Sequence, residues 1–338
     1  LGAAVTESGS QSPYAPLFAL GGALLGGLLL ASLTETVGHG MRRRVSIRGL
    51  GVVDGMGGAL LSGAVALGLA WLAGAVALQT PGARTFRDEI QRSTILRSLN
   101  HALPPSGPVL NALARFDPFP RIDGPSAGVP APRAAIARDA DVQQAARGVV
   151  KIQGTACGLG VEGSGWIAAP GLVVTNAHVV AGQSDTTVQL GGEGDRLPAR
   201  AVAYDPRNDV AVLQADGLGG RALPLAADPT PGRQAAILGF PENGPYDVRA
   251  GRIGRTRTVI TQDAYGRGPV QRRLTTLRGT VRPGNSGGPM VDSRGRVVTT
   301  VFAATRSGTQ GGFGVPNSIV EEDIASASGP VSTGPCAR

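Results

Sequence analysis

The hydrophobic rhythm of the chain changes three times. Residues 8–34 carry no charge, and Pro16–Leu33 is almost entirely Leu, Ala and Gly. A second uncharged stretch covers residues 55–83, with its apolar centre at Gly57–Leu78. A helix needs about 20 apolar residues to cross a hydrocarbon core, so both stretches predict transmembrane helices, at 16–33 and 57–78, within a membrane region 1–80. Charges return after Pro81. Ile90, Ile95, Leu96, Leu99 and Leu103 then recur between polar residues, which predicts an amphipathic helix over 86–103. Pro104-Pro105 ends it, and prolines at 108, 118, 120, 125, 130 and 132 make the rest of 81–138 read as an extended spacer.

From residue 139 the rhythm shortens. A brief helix around Asp139–Arg147 leads into apolar runs separated by Gly, Pro and Asp turns. These predict strands at 149–153, 165–168, 172–176, 187–190, 197–204, 210–214 and 234–239, then at 248–258, 273–277, 289–291, 297–303 and 312–315. Many short, closely spaced strands mean a sandwich or barrels. Ser318 followed by Glu321 reads as a capping box that opens a last helix to about Ala325.

Charge adds an orientation. Arg42, Arg43, Arg44 and Arg48 lie in the short loop between the two spans, and short arginine-rich loops stay cytoplasmic. Both flanks, including everything after Leu78, are then outside. The net charge is +8, but Lys151 is the only lysine and the other arginines are scattered among acids. Without a basic patch interleaved with aromatics, the sequence argues against nucleic-acid binding. No charged residue sits inside either span, so nothing argues for transport. No cluster of His, Cys and carboxylates has ligand spacing, so neither a metal nor another cofactor is implied.

The chemistry concentrates in Gly284-Asn285-Ser286-Gly287-Gly288-Pro289. A glycine two residues before the serine lets the backbone turn so that the N–H groups of Gly284 and Ser286 face one small space. That is an oxyanion hole, in which one donor is worth ~3 kcal/mol of transition-state stabilisation. Glycine and serine in this pattern also make ordinary turns, so the question is whether a base and an acid accompany them. His178 closes the apolar run Leu172–Val180 and is the only histidine in the C-terminal half. Asp209 stands at the mouth of the alternating run Val210–Leu213. Serine is a weak nucleophile until a neutral imidazole takes its proton, and an aspartate fixes the imidazole's tautomer and stabilises the imidazolium. His178, Asp209 and Ser286 therefore form a candidate triad in one strand-rich segment.

The segments Thr175–Val180, Asn208–Leu213 and Gly284–Pro289 resemble the chymotrypsin-fold serine proteases of bacteria, especially the HtrA-like branch, over about residues 148–330. A membrane portion followed by a protease part with a cysteine near each end is similar to the membrane-anchored MarP-type proteases of actinobacteria, which pair a protease with a colicin-V-production-like membrane region. The resemblance implies N-terminal transmembrane α-helices plus an all-β chymotrypsin-like double β-barrel protease domain at 139–338. His178 and Asp209 would lie on the first barrel, Ser286 on the second and the active site between them. Thr280 would sit at the base of the S1 pocket. With no carboxylate there to receive an arginine or lysine, a small or medium apolar P1 residue is the default expectation, and Arg278 and Arg282 are near enough in sequence to leave an acidic preference open. Val301, Phe302 and Ala303 would form the edge strand that pairs with substrate main chain. Two cysteines outside the cytoplasm permit one bridge. The resemblance implies that Cys157 pairs with Cys336, which in the entropy model constrains the unfolded chain by ~5 kcal/mol. The expected activity is that of a membrane-anchored extracytoplasmic (periplasmic) serine endopeptidase acting on cell-envelope proteins, with self-cleavage as a further substrate route. The resemblance adds a role in acid or oxidative stress tolerance. The rival expectation is a non-catalytic, protease-derived sensor or scaffold module on a membrane protein.

Overall fold

The computed structural model describes residues 120–338, apart from 123, 157, 158, 228, 229, 306–309 and 338, together with residue 67. The described residues other than residue 67 belong to one compact unit within 115–338. The two predicted spans, Leu67 excepted, and the amphipathic helix lie outside the described residues. Among the described residues no helix is long and apolar enough to cross a membrane.

The described chain begins with a two-residue strand, β1 (Arg121–Ile122), and reaches a short helix, α1 (Ala140–Ala145). The Asp139 carboxylate caps α1 by accepting the Asp141 N–H at 3.0 Å, so the helix leads into the strands as the sequence predicts. β2 (Val149–Ala156), β3 (Leu159–Ala169) and β4 (Leu172–Thr175) follow, then the one-turn helix α2 (Ala177–Val180). β5 (Thr187–Leu190), β6 (Leu197–Pro198), β7 (Arg200–Asp205) and β8 (Val210–Gln214) complete a sheet ordered β6-β5-β2-β3-β4-β8-β7. β6 and β7 are one stretch of chain interrupted at Ala199. Because β6 pairs with β5 and β7 pairs with β8, this stretch closes the sheet into a barrel.

The second barrel is built from β9 (Gln234–Gly239), β10 (Asp247–Thr261), β11 (Val270–Gly279), β12 (Pro289–Val291), β13 (Val297–Thr305) and β14 (Gly311–Val315). Its order is β1-β13-β12-β9-β10-β11-β14, and an additional β13–β14 pairing shuts the ring. The alternating apolar positions read from the sequence fill the barrel interiors. Val150, Ile152, Ile167, Val173 and Leu213 pack in one, and Ile237, Ile253, Leu277, Met290 and Val301 in the other. Each such side chain contributes about 1.5–3 kcal/mol by leaving water.

Two local expectations change. The proline-rich stretch is not wholly a free spacer, because residues 121–138 lie along the second barrel. β1 pairs in parallel with β13 at Ala304 and Thr305, and Arg278 Nη1 donates to the Val129 carbonyl at 2.7 Å. The Arg133 N–H donates to Gln234 Oε1 at 2.9 Å. Prolines remove donors and erase the alternating pattern, yet their carbonyls and neighbours still pair. The last helix, α3 (Asn317–Ser326), is also not opened by a capping box. Its N-cap is Pro316, and Ser318 lies inside the first turn with its hydroxyl buried and unpartnered. The helix start is fixed instead by Asn317, whose amide donates to the carbonyls of Ala226 and Val297.

α3 also carries a pH-dependent strain on stability. Burial, together with the negative charges of Asp205 and Glu322, pushes the Asp323 carboxyl up to about 7. A raised folded value favours the fold fully below the ordinary carboxylate range and loses that contribution as pH rises through about 7. Asp323→Asn is therefore expected to melt higher than the unaltered protein at pH ~7.5, by on the order of 1 kcal/mol after solvent screening of a half-buried group. The two melting curves should converge near pH ~4. Equal melting temperatures across this range would contradict the assignment.

Candidate active site

His178 and Asp209, the candidate base and acid, are brought together by the start of α2 and the start of β8. His178 follows Asn176, the N-cap of α2, and is buried at 4% exposure. Asp209 precedes β8 with φ 63°, a left-handed conformation that aspartate tolerates better than most residues. In that conformation its Oδ2 lies 2.5 Å from His178 Nδ1, and its Oδ1 accepts the His178 backbone N–H at 2.7 Å. Asn176 completes the turn by donating its side-chain amide to the Asp209 carbonyl at 2.8 Å. Burial alone would push the Asp209 carboxyl up. The charge and hydrogen bond of His178, followed by the charge of Arg272 and the His178 amide, outweigh burial and hold it below the usual carboxylate range.

The candidate nucleophile, Ser286, comes from the other barrel, on the turn before β12. Gly284 has φ 85°, and a Cβ there would come 2.5 Å from the Phe240 carbonyl. Gly287 has φ 78°, and a Cβ there would collide with Thr175 Oγ1 and the Ser164 carbonyl. Both positions therefore require glycine, as the motif's composition anticipates. Among the described residues, the N–H groups of Asn285, Gly287 and Gly288 donate to Arg282, Val301 and Asn285 carbonyls, whereas those of Gly284 and Ser286 donate to no protein atom. Ser286 Oγ is buried without a hydrogen-bond partner. In this structure the His178–Asp209 pair is assembled and the serine hydroxyl is not hydrogen-bonded to the imidazole.

The residue that ties the serine turn to the first barrel is one the sequence reading misses. Ser164, in β3, donates its hydroxyl to the Gly284 carbonyl at 2.6 Å and accepts the Phe240 N–H at 2.9 Å. Its own N–H donates to the Ser286 carbonyl at 2.8 Å, and its carbonyl accepts Thr175 Oγ1 at 2.8 Å. The available signal is Gly163-Ser164-Gly165, a strand interior stripped of side-chain bulk where another backbone approaches.

The specificity residues are placed less directly. Thr280 follows the end of β11, with its hydroxyl donating to Gln310 Oε1 at 3.1 Å. Val301, Phe302 and Ala303 are all buried, so whatever they offer a substrate is main chain. Val301 already exchanges hydrogen bonds with Gly287 and Gly288, and β1 occupies the next stretch at Ala304–Thr305. Phe302 is committed to the interior, its ring centroid 6.2 Å from that of His178. The tail bearing Cys336 lies beside the turn after α2. The Gly182 N–H donates to the Thr333 carbonyl at 3.4 Å, and Thr333 Oγ1 donates to the Gln183 carbonyl at 3.3 Å. Cys157 lies outside the described residues. No group of three or more His, Cys, Asp or Glu residues suited to a metal occurs among the described residues.

Two closed barrels with a His–Asp pair on one and a glycine-framed serine on the other define a trypsin-like serine peptidase. Residues 163–299 match the trypsin-like peptidase domain family, and the chain belongs to these serine proteases. Within them it is similar to serine protease Rv3671c of Mycobacterium tuberculosis, with 32% identity over 316 residues, 88% of this chain and 79% of that protein. The crystal structure of the active form of the Rv3671c protease superposes with a TM-score of 0.60 at 35% identity, covering 65% of this chain and 98% of that one. A probable periplasmic serine endoprotease, DegP-like, of Halomonas elongata is 34% identical over 182 residues, 51% of this chain and 36% of that protein.

Proposed function

We propose that this serine protease is a membrane-anchored endopeptidase whose active domain faces the outside of the cytoplasmic membrane and hydrolyses proteins of the cell envelope. The observation that carries the catalytic part is the His178–Asp209 pair, buried and in contact through both carboxylate oxygens. Ser286 attacks the scissile carbonyl, His178 takes the serine proton and then returns it to the leaving amine, and Asp209 holds His178 in the required tautomer. The free N–H groups of Gly284 and Ser286 receive the oxyanion. Thr280 shapes the S1 pocket for a small or medium apolar side chain, and the main chain at Val301–Ala303 aligns the substrate. Neither a metal nor an organic cofactor takes part.

Anchoring rests on the uncharged spans 16–33 and 57–78, and orientation on the arginines between them. The similarity to a DegP-like periplasmic endoprotease supports the same side of the membrane. So does an even count of two cysteines, Cys157 and Cys336, which an oxidising compartment would let pair. The proposal includes that bridge, the protease's own N-terminal segments as possible substrates in cis, and, from the MarP-type resemblance, a role under acid or oxidative stress. The test is labelling of the full chain, purified in detergent, with a fluorophosphonate, followed by peptide mapping. Modification at Ser286, absent from Ser286→Ala, is expected; an unmodified Ser286 would leave the sensor or scaffold reading in its place.

A further inference from the structure

Arg272 is a buried arginine that makes no direct ion pair among the described residues. It lies in β11 at 4% exposure. Its guanidinium is instead held by neutral oxygens. Nε and Nη2 donate to Thr261 Oγ1 at 3.0 and 2.7 Å, Nη2 donates to the Gln262 carbonyl at 2.7 Å, and Nη1 donates to the Arg207 carbonyl at 3.1 Å. The last bond crosses from the second barrel to the loop of the first that presents Asp209. The guanidinium carbon also lies 4.2 Å from the centre of the Phe302 ring. The other side of that contact is catalytic, since the Phe302 and His178 rings meet at 65° with centroids 6.2 Å apart.

Burying a cation costs several kcal/mol unless the charge is used. A neutral amide could satisfy some of these carbonyls without that cost, so hydrogen bonding alone does not explain an arginine here. The charged and titratable groups around it are Asp209, Asp205, Asp263 and, near Asp209, Tyr204 and His178. Of these, Asp209 is fully buried and must remain ionised while the imidazole beside it is still neutral. A cation held at a fixed distance supports the carboxylate without competing with His178 for its oxygens. The Phe302 ring touches both the guanidinium and the His178 ring.

We propose that Arg272 is a positioning residue of the triad: from the second barrel, through the Arg207 carbonyl and Phe302, it holds the Asp209 loop and the His178 ring in register with Ser286. This rests on the triad assignment above. The test is the second-order rate of Ser286 modification by a fluorophosphonate, measured against pH on the full chain, for the unaltered protein, Arg272→Met and Arg272→Lys. Arg272→Met is expected to lower the plateau rate roughly tenfold through misplacement of the pair. It should also move the acid limb up by about half a pH unit, because the imidazolium is no longer opposed by a nearby cation. Arg272→Lys keeps the charge but not the planar fork or the stacking, so its acid limb should stay in place while its plateau falls several-fold. A folded Arg272→Met with an unshifted acid limb would reduce Arg272 to a structural residue and overturn the proposal. If Arg272→Met does not fold, a plateau in Arg272→Lys equal to that of the unaltered protein overturns it as well. Modification of the unaltered chain at Ser286 distinguishes failure of this proposal from failure of the triad assignment.

Discussion

Ser286→Ala should lower kcat by about 10⁶-fold while leaving the melting temperature unchanged or higher. The loss is large because the other parts of the triad act only through the serine. With Oγ gone, neither the imidazole nor the oxyanion donors has an attacking atom to assist, and only a residual contribution from binding and the oxyanion hole survives. Stability should move the other way. Ser286 Oγ is buried and has no hydrogen-bond partner, so its removal orphans nothing and deletes a desolvated hydroxyl. Hydrolysis of a quenched casein substrate and thermal melting, both on the full chain, test the two halves. Activity within a hundredfold of the unaltered protein would show that another residue is the nucleophile. A clear fall in melting temperature would show that the hydroxyl is bonded in solution.

This divergence reflects where the site sits. Neither barrel contains it, and the groups that assemble it reach across. Ser164 of the first barrel grips the carbonyls of Gly284 and Ser286 in the second, and Trp166 Nε1 donates to Thr300 Oγ1 at 3.1 Å. In the opposite direction Arg272 reaches the Arg207 carbonyl. A buried polar network of this kind specifies one relative placement of the two barrels, because any other leaves its members unpaired.

Much of this was legible in the residues themselves. All twelve expected strands occur, since alternating apolar runs between Gly, Pro and Asp turns carry a period of two. Their lengths were less legible. Only Gly165–Ala168 reads as strand in the sequence, whereas β3 spans Leu159–Ala169, because Gly160, Gly163 and Ser164 contribute no side-chain pattern. β1 was hidden by the prolines that flank it, Pro118, Pro120 and Pro125, and the capping-box pattern at Ser318 lost to the docking of Asn317. His178, Asp209 and Ser286 stand out in the sequence because a serine nucleophile needs a base and an acid of restricted types. Ser164 and Arg272 do not, because each owes its role to a backbone far away in sequence. Arg272-Arg273 on an alternating strand looks like a solvated face until the hairpin between β10 and β11 folds its first member inward, leaving Arg272 buried and Arg273 exposed.

Asp209→Asn is the sharper test of the pair itself, with an expected fall in kcat of about 10⁴-fold and little change in the affinity for a peptide competitor. The two Asp209 oxygens both accept from His178, one from Nδ1 and one from the backbone N–H. An asparagine can supply only one oxygen, so its NH₂ must face either the amide or the ring. If it keeps the amide bond, the NH₂ meets Nδ1 and forces the ring proton onto the nitrogen that faces Ser286, where a base is needed. If it turns over, the NH₂ opposes the His178 N–H inside a fully buried turn, and α2 is destabilised instead. The pH dependence separates these. Asp209 is held below the usual carboxylate range in the fold, so its contribution to stability is complete above that range and is lost as pH falls through the depressed value. The stability gap between the unaltered protein and Asp209→Asn should therefore be open at neutral pH and close in strong acid. Loss of kcat with unchanged stability at neutral pH would favour the tautomer route. Retention of kcat within tenfold would mean that His178 is oriented by something other than Asp209.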